Sequence, residues 1–256
     1  MTEAARLDEL LALSRELGRP ENDYVILAEG NTSVRLDDGT FLVKASGARL
    51  ACIGERDFVR LRLEPLLAVI RGGGDGDGDS PTVLREARVE PSPGSGEPSI
   101  ETFVHVVCLG LGGARFVGHT HPTVLNGLLC SVEAEEIFMG PLFPDEVVVC
   151  GPALLYVPYS EPGRELARAL APRLEAFLDR YGTPPRTILL GNHGLVALGD
   201  STAEVEAVTA MAVKAARIRC VALAAGGART LAAASVEELT SRTDEIERRA
   251  RLVGGA

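Results

Sequence analysis

Ala114-Arg115-Phe116-Val117-Gly118-His119-Thr120-His121-Pro122 runs an apolar stretch into two histidines one residue apart. Alternate residues of an extended chain point to the same side, so His119 and His121 can reach one ion from the end of a strand. A second stretch, Thr187 to Leu190 followed by Gly191-Asn192-His193-Gly194, repeats the order of apolar run, glycine and histidine. The chain has only four histidines, and three of them stand where strands hand over to loops. Three imidazoles make the ligand set of a catalytic metal and leave a fourth position for water or substrate. The plain alternative is three unrelated surface or core histidines, since H-x-H also arises by chance.

With 256 residues and 46% hydrophobic content the chain can bury a sizeable core, and residues 1–256 are expected to form a single domain. A net charge of -10 with no Trp and no cluster of Lys and Arg gives a nucleic-acid backbone nothing to hold. The start Met-Thr-Glu-Ala-Ala-Arg has no basic segment leading into an apolar one, and no apolar run reaches the ~18 residues of a membrane span. A cytoplasmic protein without membrane contact is expected. Five widely spaced cysteines, mostly flanked by Val, Leu or Ala, suit buried thiols better than disulfides.

Residues 4–17 place Leu7, Leu10, Leu11 and Leu17 on one helical face, with Gly18 and Pro20 as the stop. Ser33 to Leu36, Asp37-Asp38-Gly39 and Thr40 to Lys44 read as strand, tight turn, strand. Gly72 to Asp79 reads as a mobile surface loop, because a single such stretch lacks the repeated turns of a calcium array. Ser99 is expected to cap a helix that buries Ile100, Phe103, Val104, Val107, Cys108 and Leu111 and carries Glu101 in its first turn. Glu146 to Cys150, Leu154 to Val157, Arg186 to Leu190 and Val196 to Leu198 look like strands, and Pro162 to Arg180 like a helix. Two helices, roughly 202–225 and 236–252, finish the chain.

Five polar motifs follow one another between Leu11 and Ala225: Glu29-Gly30-Asn31-Thr32-Ser33, Lys44-Ala45-Ser46-Gly47, Pro98-Ser99-Ile100-Glu101-Thr102, Gly118-His119-Thr120-His121 and Asn192-His193-Gly194. Their order and spacing resemble the class II aldolase/adducin family, and with Pro158-Tyr159-Ser160-Glu161-Pro162-Gly163 they look most like its rhamnulose-1-phosphate-aldolase-like branch. The resemblance implies an α/β fold of three layers, α/β/α, with a central, mostly antiparallel sheet flanked by helices. It implies zinc or another divalent metal ion on His119, His121 and His193, with Glu101 as catalytic acid/base. It also implies that Gly30, Asn31, Ser46, Gly47 and Ser99 bind the phosphate of a phosphorylated sugar, and that the protein assembles as a homotetramer.

The expected reaction is cleavage of a ketose 1-phosphate to dihydroxyacetone phosphate and an aldehyde. Relatives of the same fold epimerise, dehydrate or decarboxylate instead, and the adducin head is a scaffold without the histidines. A retro-aldol step needs a Lewis acid and a base, and a carboxyl group beside a metal and apolar walls could be tuned toward neutral pH. Two departures stand out. Relatives carry two serines before the glutamate where this chain has Ser99 and Ile100, and the tail Arg248 to Ala256 lacks the tyrosine that some relatives use as proton donor. Lys44 could bring charge to the anion. His105, on the helical face of Glu101, could orient that carboxylate or serve as a fourth ligand, although a partly buried histidine paired with Glu101 or a carbonyl is the plainer reading.

Overall fold

The computed structural model describes residues 2–72 and 79–253, so the expected loop Gly72 to Asp79 lies, from 73 to 78, outside the described residues. The strands are β1 (Asn31–Arg35), β2 (Thr40–Lys44), β3 (Phe58–Arg62), β4 (Phe116–Thr120), β5 (Leu155–Val157), β6 (Thr187–Leu190) and β7 (Gly194–Gly199). The helices are α1 (Glu3–Leu17), α2 (Leu63–Ile70), α3 (Ser80–Glu86), α4 (Thr102–Gly110), α5 (Thr123–Leu129), α6 (Ala134–Ile137), α7 (Pro144–Cys150), α8 (Arg164–Tyr181), α9 (Thr202–Ala224), α10 (Ala233–Ser241) and α11 (Thr243–Val253). None is long and apolar enough to cross a membrane among the described residues.

One seven-stranded sheet takes the order β3-β2-β1-β4-β7-β6-β5. Every pairing is antiparallel except that of β5 with β6. Side chains alternate between its faces, which divides the core in two. Phe41, Val43, Val117 and Val196 pack with Leu66 of α2, Phe103 and Val107 of α4 and Leu170 of α8. Leu42, Val34, Phe116 and Ala197 face the other way, against Leu10, Leu13 and Leu17 of α1 and Val205 and Val208 of α9. Each such leucine or phenylalanine contributes roughly 1.5–3 kcal/mol on burial, so both helical layers are held to the sheet by apolar contact.

The β1-β2 hairpin forms as its sequence dictates: Gly39 takes φ +81°, and Asp38 Oδ1 accepts the Thr40 N–H at 3.1 Å. Because β4 is antiparallel to β1 and β7, its C-terminal end lies beside their N-terminal ends. Asn31 pairs with His119, Leu195 with Thr120, and Leu190 of β6 with Gly194. All three histidines are thereby delivered to one end of the sheet.

Four expectations need correction. Glu146 to Cys150 is helix α7, not strand: Pro144 opens it, Asp145 and Glu146 fill its first turn, and the three valines that suggested a strand are buried by tertiary packing. Ser99 does not cap α4 directly. Its Oγ accepts the Glu101 N–H at 3.3 Å, and Glu101 itself is the residue from which the helix starts. The last expected helix is two, α10 and α11, separated by Arg242 in extended conformation. All five cysteines are free as expected, but Cys52 and Cys130 are exposed.

Candidate metal centre

His119 lies within β4 and His121 just beyond it, where the His121 N–H donates to Tyr24 O at 2.8 Å. His193 sits in the tight turn from β6 to β7. Asn192 adopts φ +52° there, a left-handed conformation that asparagine tolerates better than most residues. Gly194 closes the turn, since a Cβ at this position would stand 2.5 Å from Thr120 O and 2.8 Å from the His121 ring. The amide of Asn126 in α5 donates to His193 O at 2.9 Å and fixes the turn from outside.

The three imidazoles form a triangle with ring centroids 4.7, 4.9 and 5.1 Å apart. His119 Nε2 lies 2.9 Å from His121 Nε2 and 3.3 Å from His193 Nε2. Glu101 Oε1 is 3.0 Å from His193 Nε2 and 3.6 Å from His119 Nε2. The Nδ1–H of His119 donates to Leu195 O at 2.9 Å, which leaves the Nε2 lone pair pointing into the cluster. Lone pairs converging in a nearly closed site repel one another unless a cation lies between them. Three nitrogens and one oxygen suit zinc or a similar divalent ion, so the residues present fit the metal that the sequence implied.

Burial pushes the Glu101 carboxyl upward, but hydrogen bonding and charge from His119, then His193, outweigh it and hold the group well below the usual carboxylate range. The direction is opposite to the tuning toward neutrality expected from the sequence. Burial lowers His119, but Glu101 outweighs this and raises it. Burial, then the charges of the two other histidines, pushes His121 down to about 3 against a smaller opposing effect of Glu101.

Asn31 Nδ2 donates to Glu101 Oε2, which orients the carboxylate and leaves Asn31 Oδ1 buried without a partner. The loops carrying the other expected phosphate-binding residues lie close by. Gly30 precedes β1, while Ser46 N–H donates to Glu97 O at 2.8 Å and so ties the Ser46-Gly47 turn to the segment leading into Ser99. Lys44 is buried, with Nζ donating to Ala28 O at 3.1 Å and Ala48 O at 2.7 Å, so its ammonium pins two of these loops. His105 is neither a ligand nor a partner of Glu101. It is wholly buried and its Nδ1 lies 2.7 Å from Ser33 Oγ. Asn126 and the contact of Asn31 with Glu101 escaped sequence reasoning, since nothing local marks either.

A protein-family model for the Class II Aldolase and Adducin N-terminal domain matches residues 8–220. The 3-oxo-tetronate 4-phosphate decarboxylase of Haemophilus influenzae is 27% identical over 214 residues, covering 80% of this chain and 86% of that protein. The enzyme of the same name from Pectobacterium atrosepticum is 30% identical over 183 residues, 71% of this chain and 69% of that one. Among solved structures, an L-fuculose 1-phosphate aldolase superposes with a TM-score of 0.70 at 20% identity, covering 97% of both chains, a likeness of fold. With most of its length matched by the family model, this chain belongs to the class II aldolase/adducin family.

Proposed function

We propose that the protein is a divalent-metal-dependent carbon–carbon lyase that decarboxylates a phosphorylated 3-oxo sugar acid to dihydroxyacetone phosphate. The observation that carries this reading is the convergence of His119, His121, His193 and Glu101 on one point, in a chain whose curated relatives bear the decarboxylase name. A divalent ion held there supplies a Lewis acid at the substrate carbonyl oxygen. Loss of carbon dioxide from a 3-oxo acid breaks the bond between the carboxyl carbon and C2, and the electron pair moves toward the carbonyl. No proton leaves with carbon dioxide, so the chemistry closes with one proton delivered to C2. Glu101, anionic at rest and fixed at Oε2 by Asn31, would take that proton from water and pass it to C2. The proposed phosphate contacts are Gly30 and Asn31, Ser46 and Gly47, beside the two loops that Lys44 pins, together with Ser99.

Cleavage of a ketose 1-phosphate is the second reading. It gives the same dihydroxyacetone phosphate, with an aldehyde in place of carbon dioxide. The anionic state of Glu101 favours it, because retro-aldol cleavage requires a base for the hydroxyl proton and loss of carbon dioxide does not. Zinc-loaded protein incubated with 3-oxo-tetronate 4-phosphate, and separately with a panel of ketose 1-phosphates, separates the two. Equimolar carbon dioxide and dihydroxyacetone phosphate from the oxo acid is the expected result. Aldehyde from a ketose 1-phosphate with no turnover of the oxo acid would transfer the assignment to the aldolase, and turnover of neither would sink both.

A further inference from the structure

The loop from Asp23 to Gly30 follows the backbone preferences of its own residues poorly. Leu27 takes φ +51° and is 70% exposed, and Ile26 beside it is 61% exposed. A non-glycine residue in the left-handed region costs of order 1–3 kcal/mol, so ties to the rest of the molecule must hold the loop. They are visible. Tyr24 O receives the His121 N–H, Asp23 Oδ1 accepts the Thr123 hydroxyl at 3.0 Å, and Ala28 O receives the buried ammonium of Lys44. Each of the first two binds the loop to the segment that carries His121.

Glu29 stands at the end of this loop. Its Oε2 accepts the Ile26 N–H at 3.0 Å, and its Oε1 lies 3.9 Å from His121 Nδ1. The other two histidines are held by different means, His119 through Leu195 O and His193 through its backbone by Asn126. No carboxylate other than Glu29 comes within ion-pair reach of His121 Nδ1 among the described residues. An imidazole that binds metal through Nε2 carries its proton on Nδ1, and an anionic acceptor there fixes both ring orientation and tautomer.

We propose that Glu29 is a positioning residue of the metal centre: its carboxylate, 3.9 Å from His121 Nδ1 here, closes to accept that N–H when Nε2 binds the ion. The inference rests on the metal-centre reading and is independent of which substrate is cleaved. The carboxylate has two oxygens for two donors, the Ile26 N–H and the His121 ring, whereas the Glu29→Gln amide has one oxygen and serves only one of them.

The test is the zinc dissociation constant, measured by competition with a chromophoric chelator, of wild type, Glu29→Ala and Glu29→Gln, with circular dichroism confirming that each is folded. Removing a carboxylate behind a metal-bound histidine weakens metal binding about 10–100-fold, which is the loss expected for Glu29→Ala. Glu29→Gln should fall between Glu29→Ala and wild type. The proposal is overturned if both variants bind within twofold of wild type. It is overturned equally if Glu29→Gln matches wild type while Glu29→Ala is weak, because the side chain would then merely cap the loop. Failure of the wild type itself to take up zinc would be a third, separate result that removes the metal centre and this role together.

Discussion

Glu101 is placed both to hold metal and to move a proton, since one carboxylate oxygen faces His193 and His119 and the other receives Asn31. Glu101→Gln keeps the shape and removes the charge, so kcat should fall about 10²–10⁴-fold, the contribution typical of a positioned acid/base. Asn31→Ala frees the carboxylate to rotate. A hydrogen bond to a charged group contributes about 1.5–3 kcal/mol, so kcat should drop roughly 10–100-fold while zinc content, read by atomic absorption, stays unchanged. Loss of zinc in Asn31→Ala would show instead that this asparagine holds up the ligand set. The histidines were readable because spacing and flanking glycines mark them within a few residues. The contacts of Asn31 with Glu101 and Asn126 with His193 span 70 and 67 positions, and no local pattern encodes such a pairing.

At the scale of elements, the β6-β7 turn and the α7-α9 contact carry the sharpest expectations. A methyl group at Gly194 would collide with Thr120 O and the His121 ring, so Gly194→Ala should cost about 1–3 kcal/mol in stability and weaken zinc binding. Unchanged urea midpoint and unchanged zinc affinity would show that the turn relaxes freely. Helix α7 is clasped to α9 by Arg219 and Glu146, 2.7 Å apart and only 1% and 7% exposed. Arg219 also donates to Ile137 O and Gly140 O. Arg219→Met would strand a buried carboxylate and should destabilise by about 3–5 kcal/mol, with much of that recovered in a double variant carrying Glu146→Leu. This distant partner is also why α7 was misread, for valine periodicity alone gives no hint that Glu146 has an arginine waiting 73 residues later. The β1-β2 hairpin was legible because its turn chemistry is local.

Across the whole molecule, the mostly antiparallel sheet flanked by helices was implied by the family resemblance, whereas the strand order and short helices such as α2, α3 and α5 were not legible, because tertiary burial rather than a long periodic pattern decides them. One consequence of the folded core is acid sensitivity. Burial pushes His105 down to about 3 from its ordinary 6.5. Between those values the unfolded chain binds a proton that the folded protein refuses. The stability linked to His105 is therefore intact above roughly pH 6.5 and is lost, by up to ~1.4 kcal/mol per pH unit, as pH falls toward about 3. Urea midpoints between pH 7 and 5 should fall less steeply in His105→Asn than in wild type, and equal slopes would remove this source of acid lability.

The central claim is that this end of the sheet is a metal centre built by His119, His121, His193 and Glu101. Anomalous diffraction from crystals grown with zinc tests it most directly. The expected result is a peak at about 2.0–2.1 Å from the Nε2 atoms of the three histidines, with Glu101 beside it. A peak bound elsewhere, or none among these side chains, would contradict the claim and the lyase chemistry that depends on it.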